Sequence, residues 1–436
     1  MNRKIRLMAL LAALASLFLL TGCTLGNSVE SLFTLPQLPE EYQELSETLD
    51  QMLDAGYSYI TPTQGPNIEP VQMVDLDGDT VKEAVALLQH NGEGKPLKVM
   101  VFRQNTGRFD CICTVESAAA GIDSINYHDL TDDGVAELLL GWRGEDEKQT
   151  LSVYRIDDTA LPLLEQEYAE YILQDLTGRG VPGLVLLREN ADREPFAEYY
   201  TWQTDKVRLE SACAINSGME AIRRGSVVSG FLEGGIPAVF ITGVQGGNLA
   251  MTDALIYGGE GLVNVVRGYT PYHYCQLNPQ DINGDGITEV PYRVLDADDD
   301  DTMTAKDTLV NWICYNRFGG GRKVAETYHC QSYGWYLAWS EKYWGSIAAS
   351  NGETVNGENC VEFSVQDIPV AAIYSITCEN RESRAQMGNR FIVTRLPDTI
   401  YAAEIYEQTP ADSLEMTTLR DNFALIVNTW DAGGKE

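Results

Sequence analysis

The chain has 436 residues, 44% hydrophobic and 22% charged, with a formal net charge of −33. That composition belongs to a globular protein long enough for two or three domains with cores of their own. The charge excludes a nucleic-acid surface, which sets Lys and Arg against phosphate, and a broad contact with anionic lipid. It favours divalent cations or basic partners.

The N-terminus carries Arg3, Lys4 and Arg6, followed by an uncharged apolar run over residues 7–20. Such a run is too short to cross ~30 Å of hydrocarbon as a helix and suits the apolar region of a secretory signal. It ends in Leu20-Thr21-Gly22-Cys23. This tetrapeptide resembles the lipobox of bacterial lipoproteins. The resemblance implies cleavage before Cys23, a diacylglycerol thioether on its sulfur, and display on the extracytoplasmic face of a bacterial membrane. Two acyl chains meet the requirement for stable anchoring. Residues 23–39 then read as a polar tether. Over residues 40–56, Leu45, Leu49 and Leu53 recur every four residues and predict one amphipathic helix, stopped by Gly56.

The middle of the chain is repetitive. Five nine-residue segments align without gaps, beginning at Asp75, Asp129, Asp175, Gly230 and Asp281. The first reads Asp75-Leu-Asp-Gly-Asp-Thr-Val-Lys-Glu83 and the last Asp281-Ile-Asn-Gly-Asp-Gly-Ile-Thr-Glu289. Their sixth residues are Thr80, Gly134, Gly180, Gly235 and Gly286, and their seventh is always Val or Ile. Runs that are apolar on both faces follow the loops, as in buried central strands, and shorter strand-like pieces precede them. About four short strands per repeat of roughly 50 residues is the size of one propeller blade.

These loops resemble the FG-GAP and VCBS-type repeats of integrin α-like propellers and bacterial surface proteins. The resemblance spans residues 57–330 and implies a mainly β chain. The expected fold is a β-propeller of about five visible blades, with six or seven open if flanking segments hide degenerate ones. Residues 331–436, where the repeat stops, are expected to form a small α+β domain closed by a helix over residues 414–430.

Chemistry concentrates in the loops. Ca²⁺ takes six to eight oxygen ligands, and positions one, three, five and nine can supply side-chain oxygens. Asp75, Asp77, Asp79 and Glu83 fill all four, as do Asp281, Asn283, Asp285 and Glu289; Asp129, Asp133 and Glu137 make a weaker third set beside Thr131. The loops starting at Asp175 and Gly230 lack the acids and are expected to be metal-free. The calcium is expected to be structural. If the sixth position is left-handed, Thr80 costs about 1–2 kcal/mol there.

Nine cysteines leave eight beyond Cys23, an even number that permits disulfides outside the cytoplasm. Cys111 and Cys113, two apart in a strand-like run, are expected to point the same way without bridging. The aromatics Tyr269 to Tyr274 and Trp335, Trp339 and Trp344 are candidates for stacking on sugars or peptides, with core packing their commoner fate. The acidic run at Asp296 and Asp298 to Asp301 reads as solvated loop. No Gly-x-Ser-x-Gly, phosphate loop or His-Glu-x-x-His motif is present. The first expectation is a non-enzymatic surface platform for a protein, peptide or glycan, and the alternative is an extracellular polysaccharide lyase or hydrolase built on the propeller.

Overall fold

The computed structural model describes residues 40–426 apart from 91, 93, 106–107, 146–147, 204–205, 219–221, 246–248, 267–276, 295–306, 353–354, 356 and 407–414. The signal sequence, Cys23, the tether, the aromatics at 269–274 and the acidic run at 296–301 lie outside the described residues.

Six antiparallel sheets follow one another in chain order. The first joins Tyr57–Tyr59, Val71–Val74, Glu83–His90, Leu97–Asn105 and Arg108–Ser117. The second runs Gly121–His128, Glu137–Arg143, Gln149–Ile156 and Ala160–Tyr168, and the third Glu170–Gln174, Gly183–Glu189, Pro195–Gln203 and Lys206–Ala214. The fourth runs Ile222–Leu232, Ile236–Gln245, Leu249–Tyr257 and Leu262–Asn264. Each of these sheets is a meander of neighbouring strands, the blade unit of a β-propeller. In the first, the innermost strand is split. Tyr57–Tyr59 and Val71–Val74 pair with the two halves of Glu83–His90, and the loop between them reaches the second sheet, where Thr63 and Gln64 N–H groups donate to Ile122 and Asp123 carbonyls.

Strand alternation places successive side chains on opposite faces, so each central strand packs two ways. Val85 and Leu87 share a core with Leu138 and Leu140 of the second sheet. Leu139 turns the other way, to Leu184 and Leu186 of the third. Val185 and Leu187 meet Val239 and Ile241 of the fourth, and Phe240 meets Val290 and Tyr315 of the fifth. These shared cores stack the sheets face to face as propeller blades. The face of the first sheet turned away from the second, formed by Ala84, Ala86 and Phe102, is covered by helix α1 (Glu40–Asp54) through Leu45 and Leu49. The helix ends where expected, with Gly56 at φ +94°.

The expected division at 330 falls inside the fifth sheet. That sheet comprises Val290–Arg293, Asp307–Tyr315, Gly321–Cys330, Trp335–Trp339 and the late strand Phe423–Leu425. The sixth sheet, Ile347–Asn351, Glu358–Val365, Ile368–Ile376, Phe391–Arg395 and Ile400–Ile405, comes wholly from the segment assigned to a separate domain. One core joins Tyr328, Cys330 and Trp335 to Val361, Phe363 and Ile373 across the two sheets. Among the described residues the expected helix over 414–430 is Met416–Asp421, because the next residues leave the helix to pair with Trp335–Trp339; 414 and 427–430 lie outside the described residues. The spacing of Leu419 and Phe423 reflects burial in this same core rather than one helical face.

Two tryptophans of the aromatic cluster are core residues: Trp335 is fully buried and stacks on Phe423, and Trp339 packs edge-on to Phe363. Trp344 is half-buried and its indole N–H donates to the Trp339 carbonyl. Cys111 and Cys113 do not point the same way. A bulge sets Cys113 opposite Val101 and Cys111 opposite Phe102, adjacent residues on opposite faces, so Cys113 is buried and Cys111 exposed. The seven described cysteines form no disulfide with one another.

Candidate metal centres

In four of the five loops the chain makes the same turn. The first Asp folds back to accept backbone N–H groups from further along the loop. Asp75 accepts from Gly78 and Thr80, and Asp129 from Thr131, Asp133 and Gly134. Asp175 accepts from Thr177, Gly178 and Gly180, and Asp281 from Gly284, Asp285 and Gly286. These bonds wind the loop around its own carboxylate, which is how Asp favours turns. The geometry requires a left-handed sixth residue: Thr80 has φ +75°, beside +85°, +86° and +83° at Gly134, Gly180 and Gly286. The strain on Thr80 is therefore present, about 1–2 kcal/mol.

The ninth residue opens the following strand and points back under the loop. Glu83, Glu137 and Glu289 are all buried. Each uses Oε2 to accept the N–H of the second loop residue: Leu76 at 2.9 Å, Leu130 at 2.8 Å and Ile282 at 3.1 Å. The Oε1 atoms of Glu137 and Glu289 have no hydrogen-bond partner. A buried acceptor left unpaired costs about 1–3 kcal/mol. Burial, reinforced by the neighbouring loop aspartates, pushes the Glu137 and Glu289 carboxyls up to about 7 and raises Glu83 as well, with Asp77 adding to the effect. In the first loop, ligand oxygens of Asp75, Asp77 and Glu83 lie within 4.8 Å of one another. The remaining predicted donors, Asp79 and Asp285, turn an oxygen onto their own loops through the N–H groups of Val81 and Ile287, while the amide of Asn283 donates to Asp285.

The donor set fits a hard cation. It is all oxygen and mostly carboxylate; the acids converge in the first loop, and in the second and fifth a buried glutamate oxygen has no partner among the described residues. The two loops expected to be metal-free lack this arrangement. In the third, Gly183 stands at position nine, where a Cβ would run into the buried ring of Tyr199. The fourth is only a tight hairpin in which Leu232 pairs with Ile236.

Sequence reading missed the arginines beside these loops. Ala84 pairs with Phe102 and Leu138 with Tyr154, so Arg103 and Arg155 stand across from Glu83 and Glu137 on the next strand. Arg103 Nε lies 3.4 Å from Asp77 Oδ2 and 3.7 Å from Glu83 Oε1, while its Nη1 reaches Asp158 at 3.3 Å. Arg155 Nη2 lies 2.7 Å from Asp133 Oδ2. The sequence signal was available, since each arginine follows its glutamate by roughly 20 residues, but assigning it required the strand register.

A second feature is a cavity of about 480 Å³, lined by Ser124, Asn126 and His128 of the second sheet's innermost strand, Glu170 and Tyr171 of the third's, and Val227 of the fourth's. Asn126 donates to the Tyr171 hydroxyl at 2.6 Å, and His128 is exposed at the rim, its basicity lowered by the partial desolvation of its ring. The cavity holds polar groups from the second and third blades.

No known protein family matches the chain by sequence, and no curated protein does. Among solved structures, the β-propeller domain of the Trilobed protease from Pyrococcus furiosus is similar at 8% identity and a TM-score of 0.25, covering 74% of this chain and 88% of that chain. No argument rests on a likeness that distant; the fold stands on the sheets and their shared cores.

Proposed function

We propose that this chain is a lipid-anchored, extracytoplasmic binding platform, a relative of the FG-GAP and VCBS-type repeat proteins, whose propeller is stiffened by Ca²⁺ in its acidic loops. The observation that carries the reading is the buried Glu289, whose Oε1 has no partner among the described residues and lies with Asp281 and Asp285 in one turn. When bound there, the cation would neutralise the carboxylates and satisfy that oxygen; Asp281, Asn283, Asp285 and Glu289 would hold it. Its purpose is mechanical. The loops of adjacent blades are already joined, by Ala136 N–H to the Leu76 carbonyl at 2.7 Å and by Thr288 N–H to the Phe231 carbonyl at 2.8 Å, so fixing one loop fixes its neighbour. The cavity described above is the surface through which such a platform would meet a peptide or glycan.

A cation bound only by the folded state stabilises it by RT ln(1 + [Ca²⁺]/Kd), about 1.4 kcal/mol per site at ten times Kd. Chelation should lower the melting temperature and millimolar Ca²⁺ should restore it. Asp285→Ala should blunt the response and Thr177→Ala, in the third loop, should not. A melting curve indifferent to chelator, with no calcium in the purified protein, would reject the assignment.

The anchor is tested separately. Cys23→Ala should release the protein from membranes or leave its signal uncleaved. Wild-type protein that is acyl-free and begins at another residue would dispose of the lipoprotein reading.

A further inference from the structure

We propose that Arg103 and Arg155 serve as built-in counter-ions of the first two loops, leaving the loop from Asp281 to Glu289 as the one that takes a divalent cation. The proposal rests on reading the loops as cation sites and concerns which of them are open to an ion. Its basis is one structural position, the residue across from the ninth loop residue on the next strand. In the first two sheets that position holds arginine. In the fifth, Val290 pairs with Ile313, so Glu289 faces the buried thiol of Cys314.

The consequences differ from loop to loop. Arg103 pairs with two of the four donors of the first loop, Asp77 and Glu83. Arg155 takes Asp133 of the second, which has Thr131 at its third position. Any ion entering either loop must displace a guanidinium or sit beside it, and like charges a few ångströms apart in a partly buried site repel strongly. In the fifth loop the nearest arginine, Arg322, is 67% exposed and forms its ion pair with Glu233 of the fourth loop, at 3.6 Å. Glu289 is fully buried with Oε1 unpartnered among the described residues, as is Glu137 of the second loop, but only the fifth loop has no arginine paired with one of its aspartates.

The sixth sheet also gives a strand-opening glutamate arginine partners, but from further along the chain, since the residue across from Glu358 is Ile376. Glu358 opens its second strand, as Glu83 and Glu137 do in theirs, and is buried. Its oxygens are held by Arg384 and Arg390, each at 2.9 Å, with no Asp-rich loop before it.

The test is a count of bound calcium by isothermal titration with CaCl₂ on the full chain in detergent. The wild type should bind one equivalent, lost in Glu289→Gln. Arg103→Ala and Arg155→Ala should each add a site or tighten binding at their own loop tenfold or more, and Arg103→Met and Arg155→Met keep the aliphatic stem should the alanine variants fail to fold. Three equivalents in the wild type, or no gain in folded arginine variants, would overturn the proposal and leave the calcium reading standing. No calcium bound by wild type or by any variant would overturn the calcium reading itself.

Discussion

A chain ending at Cys330 should fail to reach a cooperatively folded state. The cut removes Trp335–Trp339 and Phe423–Leu425 from the fifth sheet and the whole sixth sheet. It leaves Tyr328 and Cys330, both buried, without the residues that cover them, and it opens the long edge of Gly321–Cys330 to solvent. An unpaired apolar edge is a template for aggregation. The loss is of strands that complete a sheet, not of a neighbouring domain, so it is not confined to the missing residues. A milder form of the experiment is Phe423→Ala. Phe423 stacks on Trp335 at 5.7 Å and leans on Tyr401 at 5.4 Å, and truncating a core Phe costs about 3–5 kcal/mol. Urea melts of Phe423→Ala should show that loss, and the fragment ending at 330 should aggregate or melt without a sharp transition. A soluble, cooperatively melting fragment would show that the first blades stand alone.

The sequence was most readable where side-chain identity alone determines local geometry. Asp at the first loop position, Gly at the sixth and Glu at the ninth each answer a local demand: a turn, a positive φ and a buried acceptor for the second residue's N–H. The blades that carry those residues were therefore legible, and so were helix α1 and its stop at Gly56. The sixth blade was hidden because its first hairpin, between Asn351 and Glu358, carries Asn-Gly pairs in place of the nine-residue acidic loop that marks the others, and the Arg384 and Arg390 that hold Glu358 lie more than 20 residues further on. Strand Phe423–Leu425 was read as helix because Leu419, Phe423 and Ile426 satisfy a helical spacing, and only the pairing with Trp335–Trp339 shows that the chain changes conformation between them. The same limit hid Arg103 and Arg155. Their importance lies in a register, and Cys111 and Cys113 show how one bulge breaks the alternation from which register is inferred.

Replacing His329 by Phe should stabilise the protein and flatten its response to acid. His329 is 1% exposed and neither ring nitrogen has a hydrogen-bond partner among the described residues. It lies flat against Tyr336, with ring centres 4.9 Å apart, and beside Trp312 at 5.9 Å. Burial among these rings penalises the charged form and holds the imidazole down to about 3. In the unfolded chain the ordinary value is near 6.5. Below pH ~6.5 the unfolded chain therefore binds a proton that the native state refuses until pH ~3, and stability falls across that window by up to about 1.4 kcal/mol per pH unit. Above pH ~6.5 both states are neutral and the group is silent. Glu137 and Glu289 work in the opposite direction. Their raised native values mean that metal-free protein gains stability as pH drops from about 7 toward the ordinary carboxylate range, so only the difference between variant and wild type isolates His329. Phe keeps the ring and its stacking and removes two unpaired polar atoms, each of which costs about 1–3 kcal/mol when buried. At pH 7.5, His329→Phe should unfold at higher urea with an unchanged slope. Between pH 6.5 and 4 its advantage should widen, because the wild type alone loses stability to the unmet proton. A variant less stable at pH 7.5, with an acid profile parallel to wild type, would mean that the ring nitrogens do have partners in the folded protein and that the fifth blade depends on them.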